Sequence, residues 1–183
     1  MKKFMKIMTI IALSTLSATS FAADAKDKVN IKAEPEQKIG NWYYQCETMQ
    51  VNGKDKNKVC ALVQNFAILG KDKKQEMPVL RLQIHKIKQA EKMITFLGVR
   101  TPLGVDLASG VKLQIDKKDY KGVPFTTCYA EPLGCRSSFI IEKDLEKALL
   151  GGKELRIGYK SLDGRVVASE IQTGGYTEAI NKL

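Results

Sequence analysis

The stretch Leu80-Arg-Leu-Gln-Ile-His85 decides the fold prediction. Its apolar residues stand at positions 80, 82 and 84, and polar residues stand between them. Successive side chains of a β-strand point to opposite faces, so this alternation predicts a strand with one apolar and one polar side. The next apolar residue, Ile87, is out of step, which predicts a bulge or the end of the regular pattern.

Short segments of the same kind lie on both sides of this strand. Gly40–Cys46 and Val59–Ile68 are rich in aromatic and β-branched residues. Leu155–Lys160 and Val166–Ile171 flank Asp163-Gly164, a strong hairpin turn. About eight short strands separated by turn residues predict a mainly β protein, an antiparallel sandwich or barrel.

Helical periodicity is limited to one or two short segments. Glu142–Leu150 places apolar residues at helical spacing and is followed by Gly151-Gly152, which predicts a short helix with a glycine stop. A second short helix is predicted over Tyr176–Lys182.

Composition is that of one globular domain. The chain has 183 residues, of which 44% are hydrophobic and 27% are charged, and its formal net charge is +10. Residues 40–183 are predicted to form a single β-rich domain. Residues 23–39 are polar and contain Pro35, which predicts a flexible leader.

The N-terminus has the pattern of a secretory signal peptide. Lysines stand at positions 2, 3 and 6, Ile7–Leu16 is apolar, and Ser20-Phe-Ala22 supplies small residues for cleavage. The apolar run is shorter than the roughly 20 residues of a membrane span. We therefore predict cleavage after residue 22 and a periplasmic or secreted protein without a transmembrane segment in the mature chain. The alternative is an amphipathic first helix of the domain.

Four cysteines, at positions 46, 60, 128 and 135, leave no odd thiol. In an oxidising compartment such residues form disulfides in preference to metal sites. The spacing lacks a C-x-x-C motif, which argues against thiol exchange and against a zinc site.

The four cysteines allow three connectivities, and the sequence alone does not select one. Local geometry favours one of them. Cys46 and Cys60 are equidistant from Gly53 in a polar turn, and Cys128 and Cys135 flank a second turn. Hairpins folded there would join Cys46 to Cys60 and Cys128 to Cys135.

Candidate catalytic groups are few. His85 is the only histidine, and its place on the polar side of a strand predicts a solvated side chain rather than a general base. There is no G-x-S-x-G or phosphate-loop motif, and no carboxylate pair is marked by its spacing. We predict a protein that is not an enzyme and has no cofactor or metal. A hydrolase with a carboxylate pair is a weaker alternative.

Lysines gather in clusters that permit two interpretations. The first is solvated turns and strand edges, where lysine discourages aggregation. The second is a cationic contact surface for anionic lipid headgroups, polysaccharide or an acidic partner. Nucleic acid is not predicted, since the compartment is wrong and aromatic residues do not alternate with the basic ones. The candidate contact residues are Lys54, Lys56, Lys58, Lys71, Lys73, Lys74, Lys117, Lys118 and Lys121.

The aromatic run Trp42-Tyr-Tyr44 also permits two interpretations. It either forms an exposed binding patch or packs in the core beside a disulfide. Core packing is the more usual role of such residues in a small β domain.

Taken in order, these landmarks are similar to the invasion-associated locus B family of exported bacterial proteins, from about Gly40 to the C-terminus. Arg136 departs from the family pattern, which has an apolar residue there. The matching segments are Trp42 with Cys46, Cys60-Ala-Leu-Val-Gln64, Pro102-Leu-Gly-Val-Asp-Leu107, Gly110-Val111, Pro124-Phe125 with Cys128, Gly134-Cys135 and Gly175-Tyr-Thr-Glu-Ala179.

The resemblance implies a small exported β-rich protein, and some family members are linked to bacterial entry into host cells, notably red blood cells. It implies no enzyme activity, cofactor or defined binding residues. We therefore predict contact with an unidentified macromolecule at the envelope or the host-cell surface. The alternative is an accessory subunit of a periplasmic or outer-membrane assembly.

Overall fold

The computed structural model describes residues 29–69, 76–130 and 134–183. Within these ranges the chain forms twelve strands and two short helices. The strands are β1 (Val29–Ala33), β2 (Gln37–Ile39), β3 (Trp42–Val51), β4 (Lys54–Leu69), β5 (Glu76–Gln89), β6 (Lys92–Thr101), β7 (Val111–Ile115), β8 (Lys118–Val123), β9 (Thr127–Tyr129), β10 (Gly134–Ile140), β11 (Leu155–Lys160) and β12 (Val166–Ile171). The helices are α1 (Lys143–Leu150) and α2 (Tyr176–Ile180).

The strands form two antiparallel sheets. The large sheet has eight strands in the order β1-β3-β4-β5-β6-β10-β9, with β2 also paired to β3. The small sheet has four, in the order β12-β11-β7-β8. This confirms the predicted mainly β antiparallel class, and the arrangement is a sandwich and not a closed barrel. The additional strands include short edge strands such as β8 and β9, whose exposed residues lack apolar alternation.

Strand β5 has the two-sided character that its sequence predicts. Leu80, Leu82 and Ile84 are at most 2% exposed, and they face the core. Arg81 and Gln83 point the other way and are half-buried. The alternation thus fixes which side of the large sheet is covered.

The core lies between the two sheets. Leu62 and Leu97 of the large sheet and Leu113 and Ile157 of the small sheet belong to one buried apolar cluster. A hydrogen bond joins the layers as well, because the hydroxyl of Tyr159 on β11 donates to a β5 carbonyl oxygen at 3.1 Å.

The helices complete this core. Helix α1 buries Leu145, Ala148 and Leu149, and Gly151 follows it as the sequence predicts. The ring of Tyr176 on α2 packs against Trp42, with 5.6 Å between the ring centroids. Because Trp42 has no exposed surface, the aromatic run does contribute to core packing.

The chain passes very close to itself where β2 meets the segment before α2. Gly40 has a φ of +57°, and a Cβ atom there would lie 2.5 Å from the carbonyl oxygen of Gly174. Only glycine fits such an approach. This contact holds the N-terminal part of the large sheet against the C-terminal helix.

Both predicted disulfides are formed. Cys46 lies directly opposite Cys60 on β3 and β4, and Cys128 lies directly opposite Cys135 on β9 and β10. The hairpin argument therefore selected the correct pairing. The first bridge joins two long strands within the large sheet, whereas the second fastens its short edge strand β9.

The domain begins earlier than predicted. Residues 29–39, expected to belong to a flexible leader, form β1 and β2, and both pair with β3. This corrects the predicted start at Gly40. The polar composition of residues 29–39 led to the wrong prediction, because an edge strand is held by backbone hydrogen bonds to its neighbour and needs no apolar face. The predicted signal peptide and residues 23–28 lie outside the described residues.

No helix in the described part of the chain combines the length and the hydrophobicity that crossing a bilayer requires.

Candidate functional site

The candidate site lies on the outer face of the large sheet, which we define as the side turned away from the small sheet and the helices. Strands β5, β6 and β10 are neighbours there, so their outward residues form rows across the sheet. The rows are Arg81-Arg100-Arg136, Gln83-Gly98-Ser138 and His85-Phe96-Ile140.

The first of these rows, the arginine row, consists of three arginines in register on adjacent strands. Arg100 on β6 pairs in register with Arg81 on one side and with Arg136 on the other. Neighbouring strands are about 4.8 Å apart, so the three backbone positions span about 10 Å.

Arg81 is held in position by neutral side chains of the adjoining strands. One guanidinium nitrogen donates to Gln45 Oε1 at 2.8 Å, and another donates to Asn65 Oδ1 at 3.3 Å. Its Nε atom is buried without a hydrogen-bond partner. Gln45 in turn donates to the carboxylate of Glu36.

The pKa of the Arg81 guanidinium is affected by burial and by neighbouring charges. Burial lowers the pKa of Arg81, and the positive charge of Arg100 lowers it further. The carboxylates of Glu47 and Glu36 act in the opposite sense and are the smaller causes. At Arg81 these carboxylates offset the effects of burial and of the Arg100 charge only in part.

The other end of the row lies beside the second disulfide. The guanidinium carbon of Arg136 is 5.7 Å from the ring centroid of Tyr129, within range of a cation–π contact. The Cys128–Cys135 bridge joins β9 to β10 next to this pair. The bridge thus holds an exposed aromatic ring beside the arginine row.

A concavity of about 260 Å³, the arginine groove, opens between the first two rows. Gly98 lies at its centre between Gln83 and Ser138. The groove is also lined by Arg100, Arg136 and Thr127.

Gly98 has no packing requirement for glycine. A Cβ atom there would meet its nearest neighbour, the carbonyl oxygen of Gln83, at 3.4 Å, which is an ordinary contact. Glycine inside a strand is destabilising by roughly 0.5–1 kcal/mol relative to alanine. A glycine inside a strand often marks a place where a ligand or another backbone approaches closely.

The outer face of the small sheet offers a contrast. A second concavity, of about 200 Å³, surrounds Gly158 there. A Cβ on Gly158 would lie 2.6 Å from the carbonyl oxygen of Val167, so packing explains this glycine. Arg156, two residues away, pairs in register with Glu170, so residues of opposite charge stand on adjacent strands there.

His85 is less exposed than predicted. Its Nδ1 atom lies 3.2 Å from the carbonyl oxygen of Cys60, and burial lowers the pKa of the imidazole. The expectation of a solvated side chain is therefore wrong, because the neighbouring strand β4 partly covers the ring.

The predicted lysine contacts are divided between the two sheets. Lys54, Lys56 and Lys58 lie on β4 of the large sheet. The residues at positions 117, 118 and 121 lie on the β7–β8 hairpin of the small sheet. Lys71, Lys73 and Lys74 lie outside the described residues.

Several of these lysines contact carboxylates. The Nζ atom of Lys58 is 2.7 Å from Glu34, and that of Lys121 is 2.8 Å from Glu142. Such exposed pairs contribute about 0–1 kcal/mol each. They nevertheless compensate part of the charge that a contact surface would use.

Sequence reasoning missed the arginine row. Its members are separated by 19 and 36 positions in the chain, and only the pairing register brings them together. The indication that the sequence offered for this row was the position of Arg81 on the polar side of β5. Within the described residues, no three histidine, cysteine or carboxylate side chains are close enough to hold a metal ion.

Comparisons with known proteins agree with the fold. A family model described as "Invasion associated locus B (IalB) protein" matches residues 42–183. Among solved structures, invasion associated protein B from Bartonella henselae superimposes with a TM-score of 0.61 and 22% sequence identity. That match covers 81% of this chain and 94% of the other. No curated protein matches the chain.

Proposed function

Since the chain belongs to the invasion associated locus B family, we propose that it is an exported bacterial protein that contacts another macromolecule during association with host cells. It acts by binding and does not catalyse a reaction. The outer face of the large sheet is the contact surface. The arginine row on that face is the observation that carries this proposal.

Export is supported by two independent features. Both pairs of cysteines are bridged, and disulfides are typical of oxidising compartments outside the cytoplasm. The first 22 residues have the charge and apolar pattern of a cleaved signal.

Export is tested by fractionating the native bacterium and sequencing the N-terminus of the purified protein. We expect a mature chain that begins at Ala23 in the periplasmic or secreted fraction. A cytosolic chain that keeps its first residues and has four free thiols would contradict the proposal.

Contact through the outer face is supported by its charge and exposure. The row brings three arginines into register in the middle of a sheet, and Arg136 is exposed. Arginine is enriched at protein interfaces relative to the rest of the surface. Ile140, 50% exposed two rows away, adds apolar surface to the same face.

A photo-crosslinking residue tests which surface makes the contact. It is placed at Ser138 on the outer face and, as the matched control, at Lys143 on α1; both positions are exposed. On host-cell surfaces we expect adducts from position 138 and not from position 143. Equal yields at the two positions, or none at either, would contradict the proposed contact surface.

The same variants separate host contact from a role in an envelope assembly. If position 138 crosslinks only to bacterial envelope proteins, and the chain sediments with a large complex, the accessory-subunit alternative replaces host contact.

A further inference from the structure

We propose that the tip of the β5–β6 hairpin, residues 87–94, docks on a lipid bilayer that contains anionic phospholipid. The tip is at one end of the large sheet. Ile87 lies six residues from Arg81 along β5, which is about 20 Å at the rise of a strand. The inference therefore goes beyond the proposed function, and it leaves the arginine row accessible to its own partner.

The tip extends past the neighbouring strands of the sheet. The pairing of β5 with β4 ends at Ile84, and the pairing of β6 with β10 ends at Phe96. Within the described residues, the tip is thus a two-stranded ribbon, and such a ribbon buries little of its own apolar surface. Its pairs are Ile87↔Ile94, Lys88↔Met93 and Gln89↔Lys92.

Exposed apolar residues lie on both sides of this ribbon. The register of β5 with β6 is unbroken there, so Ile87 follows Arg81 on the outer side, and it is 46% exposed. Met93 is 59% exposed and belongs to the other side, in the series that leads to the core residue Leu97. A protein partner with a flat surface would cover one side of the ribbon, whereas a fluid lipid layer surrounds both.

The same ribbon is positively charged. Lys88 and Lys92 are exposed, and Glu91 is the one carboxylate between positions 85 and 95. Within the described part of the chain, neither of these lysines takes part in an ion pair. Lysine side chains can lay their apolar stems against lipid while the ammonium group stays at the level of the headgroups. Lysines beside a membrane surface are attracted to anionic lipids.

The β3–β4 turn adds charge at the same end of the large sheet. Strands β3 to β6 are consecutive neighbours and antiparallel, so the β3–β4 and β5–β6 turns lie at one end. Lys54 and Lys56 are exposed beside the β3–β4 turn, together with Asp55. This end of the sheet therefore presents more lysines than carboxylates around the apolar tip.

The backbone limits how deeply the tip enters the bilayer. The outer edges of a two-stranded ribbon carry peptide groups without partners, and such groups are not tolerated in the hydrocarbon core. The tip therefore lies at the boundary between headgroups and acyl chains. Binding at this boundary depends on the apolar area that is buried and on attraction to anionic lipid.

The β11–β12 hairpin of the small sheet provides a matched comparison. It also exposes two apolar side chains, Leu162 and Val166, each by 76%. Its turn, however, pairs the guanidinium of Arg165 with the carboxylate of Asp163. This hairpin has the apolar surface without the excess of cations, so it serves as the control.

The first test measures binding of the protein from Ala23 to Leu183 to vesicles by sedimentation. The vesicles are phosphatidylcholine alone, or phosphatidylcholine and phosphatidylglycerol in a ratio of three to one. We expect binding to the mixed vesicles, and at least about tenfold weaker binding by Ile87→Ser/Met93→Ser, because two apolar side chains are lost. The control Leu162→Ser/Val166→Ser should change binding by less than about twofold, since that hairpin does not touch the lipid.

Charge is tested by Lys88→Gln/Lys92→Gln. We expect at least about tenfold weaker binding to the mixed vesicles at low salt. The difference from the wild type should shrink as salt is added, because salt screens the attraction. Equal binding to phosphatidylcholine alone, or unchanged binding by this variant, would overturn the anionic surface as the partner.

The second test places a fluorescent reporter at the tip. Trp42 is the only native tryptophan and has no exposed surface, so lipid does not reach it. Lipids that carry bromine on their acyl chains should quench the added fluorescence of Met93→Trp and leave that of Leu162→Trp unchanged. Bromines near the headgroup should quench more than bromines near the chain end. Equal quenching in the two variants, or quenching in neither, would overturn the proposed site even if a serine variant were poorly folded.

A second copy of the chain is the remaining occupant of the tip. Sedimentation equilibrium without lipid measures the mass of the wild type and of Ile87→Ser/Met93→Ser. We expect the same mass for both. A larger assembly in the wild type that the double variant dissociates would overturn the lipid proposal and assign the tip to self-association.

Discussion

The two sides of strand β5 have opposite characters, although their residues alternate along the same six positions. The inward side presents Leu80, Leu82 and Ile84 to the core, where each is almost fully buried. The outward side presents Arg81, which lies next to Arg100 of the neighbouring strand. The comparison separates the residues that fold the protein from those that folding does not explain.

The inward and the outward residues of β5 make contributions of opposite sign to the free energy of folding. Burying a leucine or isoleucine side chain stabilises by about 1.5–3 kcal/mol. Placing two like charges directly opposite each other in a sheet destabilises it by roughly 0.2–1 kcal/mol. Stability therefore accounts for the inward residues, whereas the in-register pairing of Arg81 with Arg100 does not itself contribute to it.

The largest expected effect is on the inward side. Leu82→Ala should lower the free energy of unfolding by about 2–5 kcal/mol, because it leaves a cavity between the two sheets. Urea unfolding measures the loss. The volume-conserving control Leu82→Met should cost less than about 1.5 kcal/mol. A loss below 1 kcal/mol for the alanine variant, on the order of a surface change, would mean that the inward side does not hold the sheets together.

The disulfides extend the comparison to the interior and the edge of the same sheet. Replacing both Cys46 and Cys60 by alanine should destabilise by about 3 kcal/mol, within the usual range of 2–5 kcal/mol for losing a native bridge. Replacing Cys128 and Cys135 should cost about 2.5 kcal/mol, because the closed loop is shorter. Unfolding by guanidinium compares the two variants. A clearly larger effect of the second bridge would show that β9 supports the sheet and does more than position Tyr129.

A smaller effect should appear as pH dependence of stability on the outward side. Burial is the main cause that lowers the pKa of His85 below its ordinary value of 6.5, and the charge of Arg81 adds to it. Between those two pKa values the unfolded chain binds a proton that the folded chain does not. Stability from this group is therefore complete above pH 6.5 and is lost as the pH falls through the folded pKa.

His85→Gln checks this dependence. The unfolding free energy of the variant should fall less than that of the wild type between about pH 7 and pH 5. Carboxylates that titrate at lower pH affect both proteins alike, so the difference between the two curves isolates the imidazole. Identical curves would mean that the imidazole of His85 has the same pKa in the folded and the unfolded chain.

The smallest expected change in stability belongs to the arginine row. Arg136→Gln should alter the unfolding free energy by no more than about 1 kcal/mol, since it relieves repulsion from Arg100 and loses the contact with Tyr129. Urea unfolding measures the change. A large loss of stability would reverse the roles assigned to the two sides of the sheet.

How far the sequence alone could predict this molecule depends on the range of the interactions. Strand β5, the hairpin around Asp163-Gly164 and both disulfides depend on residues close together in the chain, and all were predicted. Strands β1 and β2 were missed because backbone pairing with β3 orders them, and backbone pairing leaves no side-chain pattern. The arginine row was missed because it exists only in the register of three strands.

The most direct test of the two-sided account compares the free energies of unfolding of Leu82→Ala and Arg136→Gln, both measured by urea unfolding. The account predicts a loss of about 2–5 kcal/mol for the inward variant and a change of no more than about 1 kcal/mol for the outward one. Equal losses, or a larger loss for Arg136→Gln, would contradict it.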